Sequence, residues 1–497
     1  MLGGIIAGCT AHFEEYNRNP KQPSSIPTAN LLQNTLQSLA YQAQNDAQRM
    51  YTFWGAYSGQ VTAVANWSFG NQIWANYNPP TAHRNTPMSI LFNQIYPNFY
   101  FIEEQTEKSG PIYGLALVLK VYAMHIVASA QGPLPYSQMQ NGQIEAPYDD
   151  EVTAWGAMFE DLDRAIDILS GSGTTNADLS SVDCVYNGNI SLWLKFANTL
   201  KLRMAMRVSS VAPYAQQKAE EAVAAGVMTD VSESAWVNND KYGLKTPWSI
   251  SWLGQKDKTD VEARPNACLV SWMNGYNDPR RPKYFTNSSG TSYLGAFSGP
   301  SSAPVPGNYT HTSHINYETE TDPQAVIYAA EAAFLRAEGA LKGWNMGGTA
   351  EDFYHEGIRL SLREFGVESS YDSYIATTTP PGSHNDATRG DNVSATTTIS
   401  VRWESTADKQ LEQILTQKWI ALYLDPMNGW ADYRRTGYPK LWKAAMSTNP
   451  DVTTARGPRR TPFPQTEYDN NKANVEAAAA LVGGDSMGYD LWWAQQN

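Results

Sequence analysis

Between Asp150 and Leu169 the apolar residues Val152, Trp155, Phe159, Leu162, Ile166 and Leu169 recur three or four apart, behind Asp149 or Asp150 as a cap. That spacing is the stripe of an amphipathic helix. The period returns along the chain. It runs from Asp322-Pro323, a cap residue with proline in the first turn, through Val326, Ala330, Phe334, Ala337 and Leu341 to Gly343. It starts again at Thr349, with Asp352 three residues on, and passes Tyr354, Ile358, Leu362 and Phe365 to Gly366. Stretches 88–107 and 111–130 make a second close pair, and 189–207 and 408–424 add two more helices. Helices joined this closely bury their stripes against one another. The pattern predicts a mainly all-α chain of antiparallel, tetratricopeptide-like hairpins, a reading that rests on period and connection length.

Three long stretches break the helical pattern, at 229–265, 284–321 and 367–400, all crowded with Gly, Ser, Thr, Asn and Pro. Loops of that length are functional or disordered. These hold Trp236, Tyr242, Trp248, Trp252, Tyr293 and Phe297, which argues against plain disorder and for a rigid scaffold presenting aromatic loops to a ligand.

The richest such segment is Asn66 to Tyr77, where Trp67, Phe69, Trp74 and Tyr77 interleave with Asn71, Gln72 and Asn76. A sugar offers weakly apolar C–H faces and a rim of hydroxyls, so its site needs flat rings and side-chain amides together. Trp67, Asn71, Trp74, Asn76 and Tyr77 are therefore the first candidates for ligand contact, with Trp252, Trp272, Tyr276 and Tyr293 the second group. The competing reading makes Trp67 and Trp74 one helix face packed into the core.

Charge and motifs exclude several classes. The net charge of −13, from 36 Lys+Arg against 49 Asp+Glu, has no long basic run to offset it, so nucleic acid is not an expected partner. His355-Glu356 opens like a zinc-protease motif, but Arg359 stands where the second His belongs. No phosphate loop or nucleophile elbow occurs. His311 and His314 lack a third ligand nearby in sequence, and the Asn385–Asn392 acids and amides lack calcium-loop spacing. No metal and no cofactor is expected. Paired carboxylates for glycoside hydrolysis have no fixed spacing, so a surface hydrolase stays open as an alternative.

At the N-terminus, Ile6-Ala7-Gly8-Cys9 resembles the lipobox of bacterial lipoproteins. Cleavage there would leave Cys9 to carry the acyl chains that anchor the protein. Residues 1–9 then read as a truncated signal, and the polar, Pro-rich 10–27 as a tether. Cys184 and Cys268 are expected as free buried thiols, although an oxidising compartment would allow them to pair.

Several segments are similar to one family. Residues 414–441 take a late helix into Trp430, Asp432, Arg434 and Arg435; 458–478 form an Arg-aromatic-Pro segment with Glu467 and Asn474; 132–138, 147–155 and 13–20 fit beside them. Together they resemble the SusD/RagB family of nutrient-binding outer-membrane lipoproteins. The resemblance implies a single domain over 28–497, SusD-like and built on tetratricopeptide-like hairpins. It implies a loop-rich face lying over a SusC-like TonB-dependent transporter, a lipid anchor at the cell surface, and Glu14 and Glu15 as an export signal. The function expected is non-catalytic capture of oligosaccharide, or of peptide as in RagB-like members. At least one of Arg434 and Arg435 is expected in a buried ion pair with Asp432 or Asp425.

Overall fold

A computed structural model describes residues 26–40, 54–64, 74–81, 86–140, 142–244, 263–287, 292–299, 309–317, 319 and 321–495. Its first half is helix after helix: α1 (Thr28–Ala40), α2 (Thr86–Gln105), α3 (Gly110–Gln131), α4 (Glu151–Ser170), α5 (Ile190–Arg207) and α6 (Ala215–Ala225). Each packs on its neighbour in sequence, α2 on α3, α3 on α4, α5 on α6. Local chemistry sets the boundaries. Asp150 caps α4 by accepting from the Thr153 amide at 2.7 Å, and Asn189 caps α5 in the same way.

Helix α3 forms the centre. It is long and apolar enough to cross a membrane by length and composition, yet 83% of its most apolar window is buried inside the protein. A helix apolar all round is one enclosed by others.

In the second half, α7 (Ala267–Gly275) and the short α8 (Arg281–Tyr284) lead to the hairpin of α9 (Ala329–Leu341) and α10 (Ala350–Glu364). Then come α11 (Tyr371–Ile375), α12 (Ala407–Ala421), α13 (Pro426–Thr436), α14 (Gln465–Asn470) and α15 (Lys472–Leu481). Thr349 caps α10 through the Asp352 amide at 3.1 Å. One continuous hydrophobic cluster runs from Leu31 to Ala494.

Among the described residues four two-stranded antiparallel ladders tie the loops together: β1 (Val61–Ala63) with β3 (Ala263–Pro265), β2 (Ala235–Val237) with β6 (Gln324–Ile327), β4 (Phe285–Thr286) with β5 (His314–Ile315), and β7 (His384–Asp386) with β8 (Asp391–Val393). Strand β6 corrects one expectation. The helix read as starting at Asp322-Pro323 begins at Ala329, because Gln324, Ala325 and Ile327 pair with Val237, Trp236 and Ala235. A strand partner from far away outweighs a local cap signal. The 367–400 stretch is likewise structured, by α11 and the β7–β8 hairpin.

Buried charge holds the layers together. Arg203 on α5 grips Glu331 on α9 with two hydrogen bonds, Nε to Oε1 at 2.8 Å and Nη2 to Oε2 at 2.5 Å. Arg435 makes the same fork to Glu338 and reaches Asp432 at 3.3 Å. The Arg434 guanidinium lies 3.5 Å from the Trp430 ring centre and donates to the carbonyls of Ser129 and Arg459. Asp425 serves as the α13 cap. Cys184 and Cys268 are free and buried, and burial pushes the Cys268 thiol up to about 12.

Candidate ligand-binding face

The β1–β3 ladder places Ala63 opposite Ala263. The chain running out of β1 towards 65–73 and the chain running in from 245–262 therefore share one end of the ladder. A third segment is fastened to the same ladder at its Pro265 end, where Ala296 donates its amide to Pro265 and accepts from Ala267, at 2.9 and 2.8 Å. Val64, Ala296 and Tyr309 then pack as one small buried cluster. Tyr309 is where the chain resumes after 301–308, and Gly299 lies just before that stretch.

Residues 74–78 and 440–449 close the ring. Asn76 donates its side-chain amide to Met446 at 2.8 Å, Thr448 donates its backbone amide to Asn76, and Ala445 donates to Gly299. Gly299 has φ +63, and a Cβ there would meet Ala444 at 2.3 Å and the Ala75 carbonyl at 2.5 Å. Only glycine fits so close a crossing. The described residues on either side of 65–73 and of 300–308, and Ala263 at the end of 245–262, thus root close together.

Beside these roots an open recess of 430 Å3 lies between the turn into α8 and the start of α11. Tyr276, Asn277, Arg281, Tyr293, Ser373 and Thr377 are among its lining. The half-buried Tyr293 ring stands 5.9 Å from the Arg281 guanidinium. Asn274 fixes both, donating to the Tyr293 carbonyl at 2.9 Å and accepting from Arg281 at 3.2 Å. Asp278 is fully occupied elsewhere, by Arg280 and the Tyr374 hydroxyl. The recess therefore offers a ring, a guanidinium, an amide and hydroxyls, and this mixture suits a polyhydroxylated ligand.

The expected contact residues fall into three groups. Trp67, Asn71 and Trp252 lie outside the described residues. Trp74 opens a short 3-10 turn, Trp74–Asn76. Asn76 and Tyr77 are clamps: both are buried, and the Tyr77 hydroxyl accepts from the Ala444 amide at 3.0 Å. Trp272 has no solvent exposure and packs edge-on against Trp419, 5.6 Å between ring centres. Tyr276 is 1% exposed and donates its hydroxyl to Ile399, so it floors the recess from within the core. Among the described residues of the second group, Trp272, Tyr276 and Tyr293, only Tyr293 offers a partly open ring. Arg281 and Asn277 were not singled out by sequence, though the Asp278-Pro279-Arg280-Arg281-Pro282 turn marks the place.

The acids around the roots are engaged. Asp386 accepts from His311 Nε2 at 2.8 Å and from the amides of Thr388 and Arg389. Asp391 accepts from Arg389 Nε at 2.9 Å. Burial, aided by Arg264, lowers His314 to about 3, and burial lowers Arg264 to about 10. Among the described residues no group of three or more His, Cys, Asp or Glu is placed to hold a metal ion.

A family model described as "Susd and RagB outer membrane lipoprotein" matches residues 16–494. A SusD-like protein from Bacteroides thetaiotaomicron is 50% identical and superposes with a TM-score of 0.91, over 95% of this chain and 99% of that one. A SusD homologue from Bacteroides ovatus is 36% identical, with a TM-score of 0.85 over 94% and 99%. A chitin-binding SusD homologue from Flavobacterium johnsoniae is 30% identical, with a TM-score of 0.87 over 95% and 99%. No curated protein matches the chain.

Proposed function

This chain belongs to the SusD-like family of outer membrane lipoproteins, and on that premise we propose that it captures oligosaccharides at the cell surface without cleaving them. The observation that carries the reading is the neighbouring roots of the stretches bearing Trp67, Trp252 and residues 300–308, beside the Tyr293 recess. Rings supplied by those stretches would stack on sugar faces while Arg281 and the amides pair with hydroxyls. The related chitin-binding protein favours a glycan over other polymers.

Cys9 would carry the lipid anchor, residues 10–27 the tether, and a SusC-like TonB-dependent transporter would receive the ligand. Capture of this kind needs only moderate affinity, since the ligand must leave inward. Contact with lipoprotein and barrel together retains it through effective concentration. The family's description also covers RagB, so a peptide ligand is the second reading. Affinity electrophoresis of the form lacking residues 1–9, through gels holding different polysaccharides and against a peptide mixture, separates the two. Retardation by one glycan class without sugar release supports capture. Binding to peptides alone moves the protein to the RagB-like branch, and release of shortened sugar that stops on changing one acid would make it a hydrolase.

A further inference from the structure

A second recess, of 500 Å3, opens between α2, the 135–146 loop and α14. It shares no lining residue with the recess at Tyr293. Met88, Pro135, Met139, Ile144, Ala146 and Pro464 give it apolar walls, and Gln140, Gln143, Thr466 and Asn470 add polar groups between them. Ile144 is 75% exposed at the rim, and Phe101, next to Tyr100 of the lining, is 48% exposed. A large apolar side chain left in water at the rim of such a recess marks a contact surface.

One charged group faces this space. Glu467 is held in place through Oε2, which accepts from the Tyr148 hydroxyl at 2.9 Å and the Asn471 amide at 3.2 Å. Asn471 is itself buried and tied to the Ala146 carbonyl at 2.8 Å. Among the described residues Oε1 of Glu467 has no hydrogen-bond partner, and the lining holds no Lys or Arg. A fixed carboxylate with one oxygen unused, at the edge of an apolar slot, is complementary to a cation on an aliphatic stem.

We propose that this recess docks an internal segment of a partner protein that presents a lysine or arginine beside an apolar residue. The stem lies along Met139 and Pro464, the charged head meets Glu467, the apolar neighbour covers Ile144, and Gln140 and Asn470 pair with the segment's backbone. A free-ended nutrient peptide fits less well, because its terminal carboxylate finds no cation and is repelled by Glu467. A neutral sugar can donate a hydroxyl to the carboxylate but brings no charge to neutralise it. The inference concerns different residues from the glycan reading and stands or falls apart from it.

The test is calorimetric titration of the form lacking residues 1–9 with the capped tripeptide acetyl-Leu-Lys-Leu-amide, its norleucine analogue and the uncapped Leu-Lys-Leu. Saturable binding of the capped lysine peptide is expected, weakened about tenfold by norleucine and by Glu467→Gln, which keeps the Tyr148 hydrogen bond. Ile144→Ser, at an exposed position, should also weaken it, and both variants should retain wild-type melting temperature and glycan binding. Equal binding of lysine and norleucine peptides, no binding of either, or wild-type affinity in both variants would overturn the proposal. Tighter binding of the uncapped peptide would overturn the assignment to an internal segment.

Discussion

Glu331 has no solvent exposure and Arg203 only 2%, so the two form a buried ion pair, with Asp425 3.9 Å from Arg203 and Lys418 3.9 Å from Glu331. Removing one partner of such a pair leaves the other stranded, at a cost of about 3–5 kcal/mol, whereas replacing both with apolar residues of similar volume is far milder. Glu331→Ala should therefore lower the urea midpoint far more than Arg203→Met combined with Glu331→Leu. A double variant as unstable as the single one would contradict this. Two carboxyls also set opposite pH trends. Burial alone would raise Asp432, but Lys418 and Arg435 hold it down to about 2. Its contribution is present above the unfolded value of about 4 and lost as pH falls towards 2. Burial raises Glu151 to about 7, despite the Trp492 amide, Arg460 and Arg434. Its folded state favours the proton, so stability from this group is present below 4.5 and lost as pH rises through 7. Glu151→Gln, which can still accept from Trp492, should flatten the stability decline between pH 4.5 and 8 in urea titrations. A slope parallel to wild type would show that Glu151 is not its source. At this scale the sequence was informative about type and silent about partners: Arg435 finds the expected Asp432, but Glu338, its main partner, lies nearly a hundred residues away.

At the scale of elements, close packing of α9 on α10 depends on Gly357. A Cβ there would meet the fully buried Phe334 ring at 2.8 Å, and a ring cannot fold out of the way as a flexible side chain can. Gly156 on α4 has nothing within 4 Å of the same position. Gly357→Val should cost about 1–3 kcal/mol through overpacking, while Gly156→Ala should stabilise by about 0.5–1 kcal/mol through helix propensity. Thermal melts of the two variants should move in opposite directions, and a loss at both positions would sink the packing argument. Helices were legible because a stripe every three or four residues survives in any tertiary context: α3, α4, α5 and α10 start within a residue or two of their sequence signals. Strand β6 was not, since its identity comes from pairing with β2 rather than from residues 322–327 themselves. The clamping roles of Asn76 and Tyr77 were hidden for the same reason, as their partners at 444–449 are remote in sequence.

For the molecule as a whole, one large hydrophobic cluster among the described residues runs from Leu31 to Ala494, and the family match covers residues 16–494. The rigid helical hairpins fix where aromatic stretches begin and end, and the function proposed for the molecule follows from those neighbouring roots. Sequence could recognise rings and amides suited to sugars, but not which rings are spent on packing. Trp272 and Tyr276 went to the core, while Tyr293 kept a partly open face. The measurement that tests the central claim most directly is calorimetric titration of an oligosaccharide panel, chitin fragments included, into wild type and into Trp67→Ala, Trp252→Ala and Tyr293→Ala variants of unchanged melting temperature. The account predicts saturable binding of one glycan class, no shortened product, and a loss of about tenfold or more in at least one ring variant, since a stacked ring contributes roughly 1–3 kcal/mol. Wild-type affinity in all three variants would contradict it.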